Sequence, residues 1–185
     1  MSGTVEAGNK IIANTGLVEF HGKPRSFKTR LFSPVNKGDS VTLVEPGLDW
    51  VAGDKIYVAP TNNHPRHNDY LTVADYLPET GRLTTTEPFE FYHFGAYYST
   101  GDDYNGVDMR AEVILLNRNV KVVGNDANDW GCATVTSDRI EADRSVRTGR
   151  TIFDNVEFYK CGQADTFNSA IRFEGAKRST ISKVN

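Results

Sequence analysis

Three ionisable residues alternate along one short stretch: Asp108, Arg110 and Glu112, within Val107-Asp108-Met109-Arg110-Ala111-Glu112-Val113. In an extended chain side chains alternate between faces, so these three share one face and Met109, Ala111 and Val113 the other. Two carboxylates and a guanidinium in a row could do acid–base chemistry. Asp108 or Glu112 would be the general acid or base, and Arg110 would hold a substrate carboxylate. Spacing argues against the two acids working as a pair. At about 3.3 Å per residue, positions i and i+4 lie roughly 13 Å apart, beyond the roughly 6.5–9.5 Å of an inverting carboxylate pair. The preferred reading is a charge ladder that locks neighbouring coils of a solenoid together.

Other chemistry-bearing residues are scattered. His21 and Arg25 flank a Gly22-Lys23-Pro24 corner; a turn histidine and a surface arginine is the favoured reading, and a ligand-binding pair, with Arg110 as a further ligand-binding candidate, is the functional one. His64, His67 and Asp69 have a spacing that reaches a metal only if their loop folds tightly. Asp102 and Asp103, in the acidic loop Gly101 to Gly106, are weak calcium ligands without the full EF-hand pattern, and no other metal or cofactor is expected. Arg139, Arg144, Arg147 and Arg150 are interrupted by Glu141 and Asp143 and read as a solvated charged loop. The aromatic run Pro88 to Tyr98 reads as packing, with sugar stacking as the second reading, and Trp50 reads as a core anchor.

The elements that would position these residues are strands. Short β-branched runs recur between Gly, Asn and Asp turns: Ser40–Val44, Lys55–Ala59, Tyr70–Ala74, Arg82–Thr85, Ala133–Thr136, Thr151–Phe153, Asn155–Tyr159, Ala170–Phe173 and Thr180–Val184. No apolar helical period persists. Residues 107–124 read as strand, polar corner, strand and glycine, which is one coil of a β-solenoid, and Asn-Val at 119–120 and 155–156 repeats between coils. The middle of the chain reads as a compact antiparallel unit.

The 185 residues carry a net charge of −3 with 38% hydrophobic content, enough for a packed core. No basic stripe points to nucleic acid, and no apolar run reaches membrane-spanning length. Cys132 and Cys161 make either one disulfide or two buried thiols; the sequence leaves this open.

The stretch V-D-M-R-A-E-V-x-L-L-x-R-N-V at 107–120 resembles the hallmark segment of the G8-domain, fibrocystin-like family. That family includes the cell-migration-inducing hyaluronan-binding protein and the transmembrane cell-surface hyaluronidase. Gly8 to Ala13 with Phe20 to Arg25 is similar to the family's segment just after the G8 domain. Asp49-Trp50-x-x-Gly53-Asp54-x-Ile56-x-Val58-Ala59-x-Thr61 is similar to its D-W-x-x-G-D element, and Val156-Glu157-Phe158 with Gly162-Gln163 to the start of its β-helix repeats. The resemblance implies an all-β chain: a right-handed parallel β-helix with an inserted small antiparallel β-unit. First coils would occupy 1–35, the inserted unit 36–106, and an incomplete run of coils 107–185. It also implies an extracellular or cell-surface setting, without membrane contact by this segment. Acidic polysaccharide, or other chains of a surface assembly, would be the partners. The family's Gly-Gly-His is replaced by Trp130-Gly131-Cys132-Ala133, and its Pro-Ile-His-Phe-His by Ala170-Ile171-Arg172-Phe173-Glu174. With those histidines gone, the expected role is a non-catalytic structural, adhesion or glycan-binding segment. A hyaluronan-type polysaccharide-degrading enzyme and a calcium-stabilised module are the alternatives.

Overall fold

The computed structural model describes residues 7–96, 107–125, 130–175 and 180–182. Among them every regular element is a strand, so the chain is all-β. It divides into two compact units, residues 25–117 and residues 1–24 with 118–185.

The chain enters with β1 (Ile11–Asn14) and β2 (Leu17–His21), then passes into the 25–117 unit. There it forms β3 (Lys28–Arg30), β4 (Val41–Leu43), β5 (Lys55–Val58), β6 (Asp69–Leu77), β7 (Arg82–Thr85) and β8 (Glu112–Leu115). These six pair antiparallel in the order β3-β8-β5-β6-β7-β4. The two outer strands then meet. Leu31 bridges Val44, and the Phe32 N–H donates to the Leu43 carbonyl at 2.7 Å, so the sheet closes into a small barrel without a free edge.

Alternation fills the barrel. Ile56, Val58, Leu71, Val73, Leu83, Val113 and Leu115 point inward from their strands and are buried with Leu31, Val44 and Phe89. Trp50 is part of this core, its indole N–H donating to the Ser26 carbonyl. Gly81 sits at φ 71°, where a Cβ would lie 2.1 Å from the Val44 carbonyl oxygen, so the hairpin into β7 requires glycine.

The other unit is built on parallel pairing. After β8 the chain forms β9 (Val120–Val123), β10 (Ala133–Ser137), the hairpin strands β11 (Arg139–Ile140) and β12 (Val146–Arg147), then β13 (Arg150–Asp154), β14 (Val156–Tyr159), β15 (Ile171–Glu174) and β16 (Thr180–Ser182). β10 lies between β1 and β15, β13 between β2 and β16, and β14 against β9, all parallel. Strands reached in one pass of the chain therefore stack on those reached in the next. The register places Val156 beside Val120, which brings Asn155 and Asn119 to equivalent corners. Gly22 stands at the same corner, where a Cβ would lie 2.0 Å from the Asn155 carbonyl oxygen. Between the stacked strands the rings of Phe20, Phe153 and Phe158 pack in sequence at 5.3 and 5.0 Å. The Asn14 amide donates to Thr151 Oγ1 and to the Arg150 carbonyl, which satisfies a buried polar corner. Cys132 and Cys161 stand opposite each other and form a disulfide.

Three sequence expectations change here. The stretch 107–124 is not one coil: β8 is an antiparallel barrel strand between β3 and β5, and β9 belongs to the other unit. The unit limits accordingly fall at 24/25 and 117/118 rather than at 35/36 and 106/107. The cause is packing, because Val113 and Leu115 complete the barrel core. Arg139 to Arg150, read as a loop, contains the β11–β12 hairpin and the start of β13.

Candidate functional site

The Asp108–Arg110–Glu112 stretch becomes a closed network of ion pairs within the barrel unit. β3 runs antiparallel to β8 with Arg30 directly opposite Glu112, which places a guanidinium beside the carboxylate at 3.0 Å. Arg30 also reaches Asp108 at 3.4 Å, and Lys28 bonds the same Glu112 oxygen at 2.7 Å. Asp108 folds back on Arg110. Its Oδ1 accepts from the Arg110 backbone N–H and from Nε at 2.9 Å, and its Oδ2 accepts from Nη2 at 2.7 Å. Arg110 approaches Glu45 at 3.7 Å, and its guanidinium lies 5.0 Å from the centre of the Phe32 ring. The Arg110 side chain is only 12% exposed.

This geometry fixes the chemistry. The Arg110 hydrogen bond, against a smaller opposing effect of burial, pulls the Asp108 carboxyl down to about 2. Such a group stays ionised through the neutral range and has no proton to give as a general acid. Glu112 has two cations on one oxygen, and Arg110 has its fork filled by a carboxylate of its own chain.

Arg25 is held in the same manner. Its Nε donates to Asp49 at 2.8 Å, and its Nη2 donates to Asp54 at 2.7 Å and to the Asp49 carbonyl. The Asp54 hydrogen bond raises its pKa above the usual arginine value. His21 belongs to the other unit, is 55% exposed, and has Glu19 at 3.8 Å as its carboxylate neighbour. Asp102 and Asp103 lie outside the described residues. The His64 and His67 rings stack face to face at 4.1 Å instead of converging on a point, and Asp69 is turned inward onto His93 at 2.7 Å. Among the described residues no group of three or more His, Cys, Asp or Glu is arranged to hold a metal ion.

The sequence reading missed Lys28, Arg30 and Glu45, which complete the network, and the fully buried His93. Cross-strand register brings the first two in, and a local pattern does not reveal it. Asp69-His93 had a faint signal, a histidine inside an aromatic run, where a buried polar ring needs a partner.

The fold and network define an all-β chain with parallel-paired strands, an antiparallel barrel that lies between two of them in sequence, and a charged stretch leading into β8 that is neutralised by its neighbours. No family model matches the chain. The chain is nevertheless similar to human fibrocystin-L, 27% identical over 164 residues that cover 84% of this chain and 4% of that protein. Mouse fibrocystin-L is 32% identical over 120 residues, 62% of this chain and 3% of the relative. A G8 domain-containing protein of Dictyostelium discoideum is 24% identical over 124 residues, covering 65% and 8%. These relatives make the chain similar to fibrocystin-L and to G8 domain-containing proteins. It spans a few per cent of the length of the fibrocystin-L proteins. Among solved structures, the tailspike gp49 of Pseudomonas phage LKA1 aligns over 92% of this chain and 32% of its own, at 14% identity and a TM-score of 0.40. No described helix is long and apolar enough to cross a membrane.

Proposed function

We propose that this chain is a non-catalytic scaffold segment of a large extracellular or cell-surface protein. In this reading the parallel-paired strands are coils of a right-handed parallel β-helix, and residues 25–117 are a barrel inserted into its first coil. The observation that carries the proposal is the closed ion-pair network around Asp108, Arg110 and Glu112. Its charges neutralise one another and brace β3 against β8 and the loop before it. An enzyme working on a polysaccharide would need one carboxyl able to carry a proton and a cation open to substrate. The Cys132–Cys161 disulfide supports the setting, since such bonds persist in oxidising compartments. The tie to hyaluronan implied by the family resemblance is an alternative for the same residues, and viscometry tests it. The purified chain is expected to leave the viscosity of a hyaluronan solution unchanged over hours. A fall in viscosity that Glu112→Gln abolishes would replace the scaffold with an enzyme.

A further inference from the structure

Four exposed arginines lie in and beside the hairpin between β10 and β13: Arg139, Arg144, Arg147 and Arg150. From Arg144 onward their spacing is regular. Arg144-Ser145-Val146-Arg147 and Arg147-Thr148-Gly149-Arg150 each place two guanidiniums three positions apart. In an extended chain that spacing is roughly 10 Å. It is the separation of the first and fourth residues on the N-terminal side of a bond held by an endoprotease. Arginine stays charged at every relevant pH and fits a carboxylate with two bonds, so an enzyme with acid in both subsites reads such a pair.

Folding separates the candidate bonds. The bond after Arg150 is closed: Arg150 begins β13, its N–H donates to the Gly16 carbonyl at 2.7 Å, and Thr151 is buried. A cut after Arg139 would need Thr136 in the fourth position, and Thr136 is buried in β10. A cut after Arg144 would put the acidic Glu141 there. The Arg147–Thr148 bond has arginine at both positions and lies before β13.

The segment around that bond is exposed and weakly held. Residues 142–147 are all exposed. β11 and β12 pair only with each other, through Arg139–Arg147 and Ile140–Val146, so both outer edges are open. Arg144 sits at φ 66°, a conformation that disfavours a side chain. Glu141 approaches Arg139 at 3.5 Å and Arg147 at 3.3 Å, exposed pairs of little strength. Asp143 accepts from the Ser145 N–H and hydroxyl. Opening two residue pairs therefore frees 144–147 as an extended strand, and such protruding tips are where folded chains are nicked.

We propose that the Arg147–Thr148 bond is a processing site for an endoprotease with acidic first and fourth subsites. One water is consumed, the peptide bond breaks, and the new ends are the Arg147 carboxylate and the Thr148 amine. The nicked chain stays together. Cys132 precedes the cut and Cys161 follows it, so the disulfide joins the pieces. β13, β14 and β15 keep their pairing with β2, β9 and β10. The site belongs to the other unit than the Asp108 network, so its failure would leave the scaffold reading intact.

The test is digestion of the full folded chain with a purified subtilisin-like convertase selective for arginine at both positions. Products are read by electrophoresis with and without reductant and by N-terminal sequencing. We expect one band without reductant and two with it, residues 1–147 and 148–185, the second starting Thr148-Gly149-Arg150. Arg147→Ala should abolish the cut, and Arg144→Ala should slow it at least tenfold. Arg139→Ala should be cut within twofold of the wild-type rate. All three positions are exposed, and retained amide dispersion checks the fold of each variant. An intact chain overturns the proposal. So does a first cut at another bond, a cut undiminished in Arg144→Ala, or pieces that separate without reductant.

Discussion

Arg110 is the residue on which the charged stretch turns. It fills the Asp108 carboxylate with two side-chain bonds and covers the Phe32 ring. A half-exposed ion pair contributes up to about 1 kcal/mol, and a cation over a ring about 0.5–1 kcal/mol. Arg110→Ala is therefore expected to cost about 1–2 kcal/mol in urea unfolding. Asp108 adds a pH dependence. Its folded-state pKa is about 2, well below the usual carboxylate value, so the stabilisation it gives is complete above pH ~4 and fades as pH falls towards 2. Asp108→Asn should flatten this limb of the stability curve, measured by fluorescence-detected unfolding between pH 5 and 2. An undiminished acid limb in that variant would assign the acid sensitivity elsewhere.

At the scale of elements, the barrel depends on inward residues that no neighbour replaces. Ile56 is fully buried, and Ile56→Ala should destabilise the chain by about 2–5 kcal/mol. In the parallel-paired unit the tight corner matters more than the core. Gly22→Ala places a Cβ against backbone at 2.0 Å, so chain or corner must shift, and loss of cooperative unfolding or of soluble protein is expected. Much of this was legible locally. Lys55–Ala59 and Arg82–Thr85 were readable from Gly-Asp and Gly turns followed by alternation, and they became β5 and β7. β3 was not, because Lys28-Thr29-Arg30 offers one small inward residue between two charges. Nor was the partner of β8: alternating apolar positions look alike in a barrel strand and in a stacked coil, and only the closure of the barrel core distinguishes them. The candidate site was legible as residues and illegible as a network. Asp108, Arg110 and Glu112 stand out by spacing, while Lys28, Arg30 and Glu45 join them through register alone.

At the scale of the molecule, a 93-residue barrel with its own core sits between two strands of another unit in sequence, since 117 less 24 residues remain after the first segment. Its ends are tied within itself: the Leu115 N–H donates to the Phe27 carbonyl, and Asn117 accepts from the Lys55 N–H. A chain of residues 25–117 is expected to fold alone, with dispersed amide resonances; a collapsed spectrum would refute its independence. The disulfide acts in the other unit. Its 29-residue separation corresponds to about 3.5 kcal/mol of loop-closure entropy, so Cys132→Ser with Cys161→Ser should lower the stability of that unit and not of the isolated barrel. The relatives match this chain over a small part of their length. The most direct test is scanning calorimetry of Arg110→Ala against the wild type at neutral pH. A structural ladder predicts a Tm lower by about 2–8 °C with the folded spectrum retained. An unchanged Tm would contradict it and return Arg110 to the role of a ligand-binding cation.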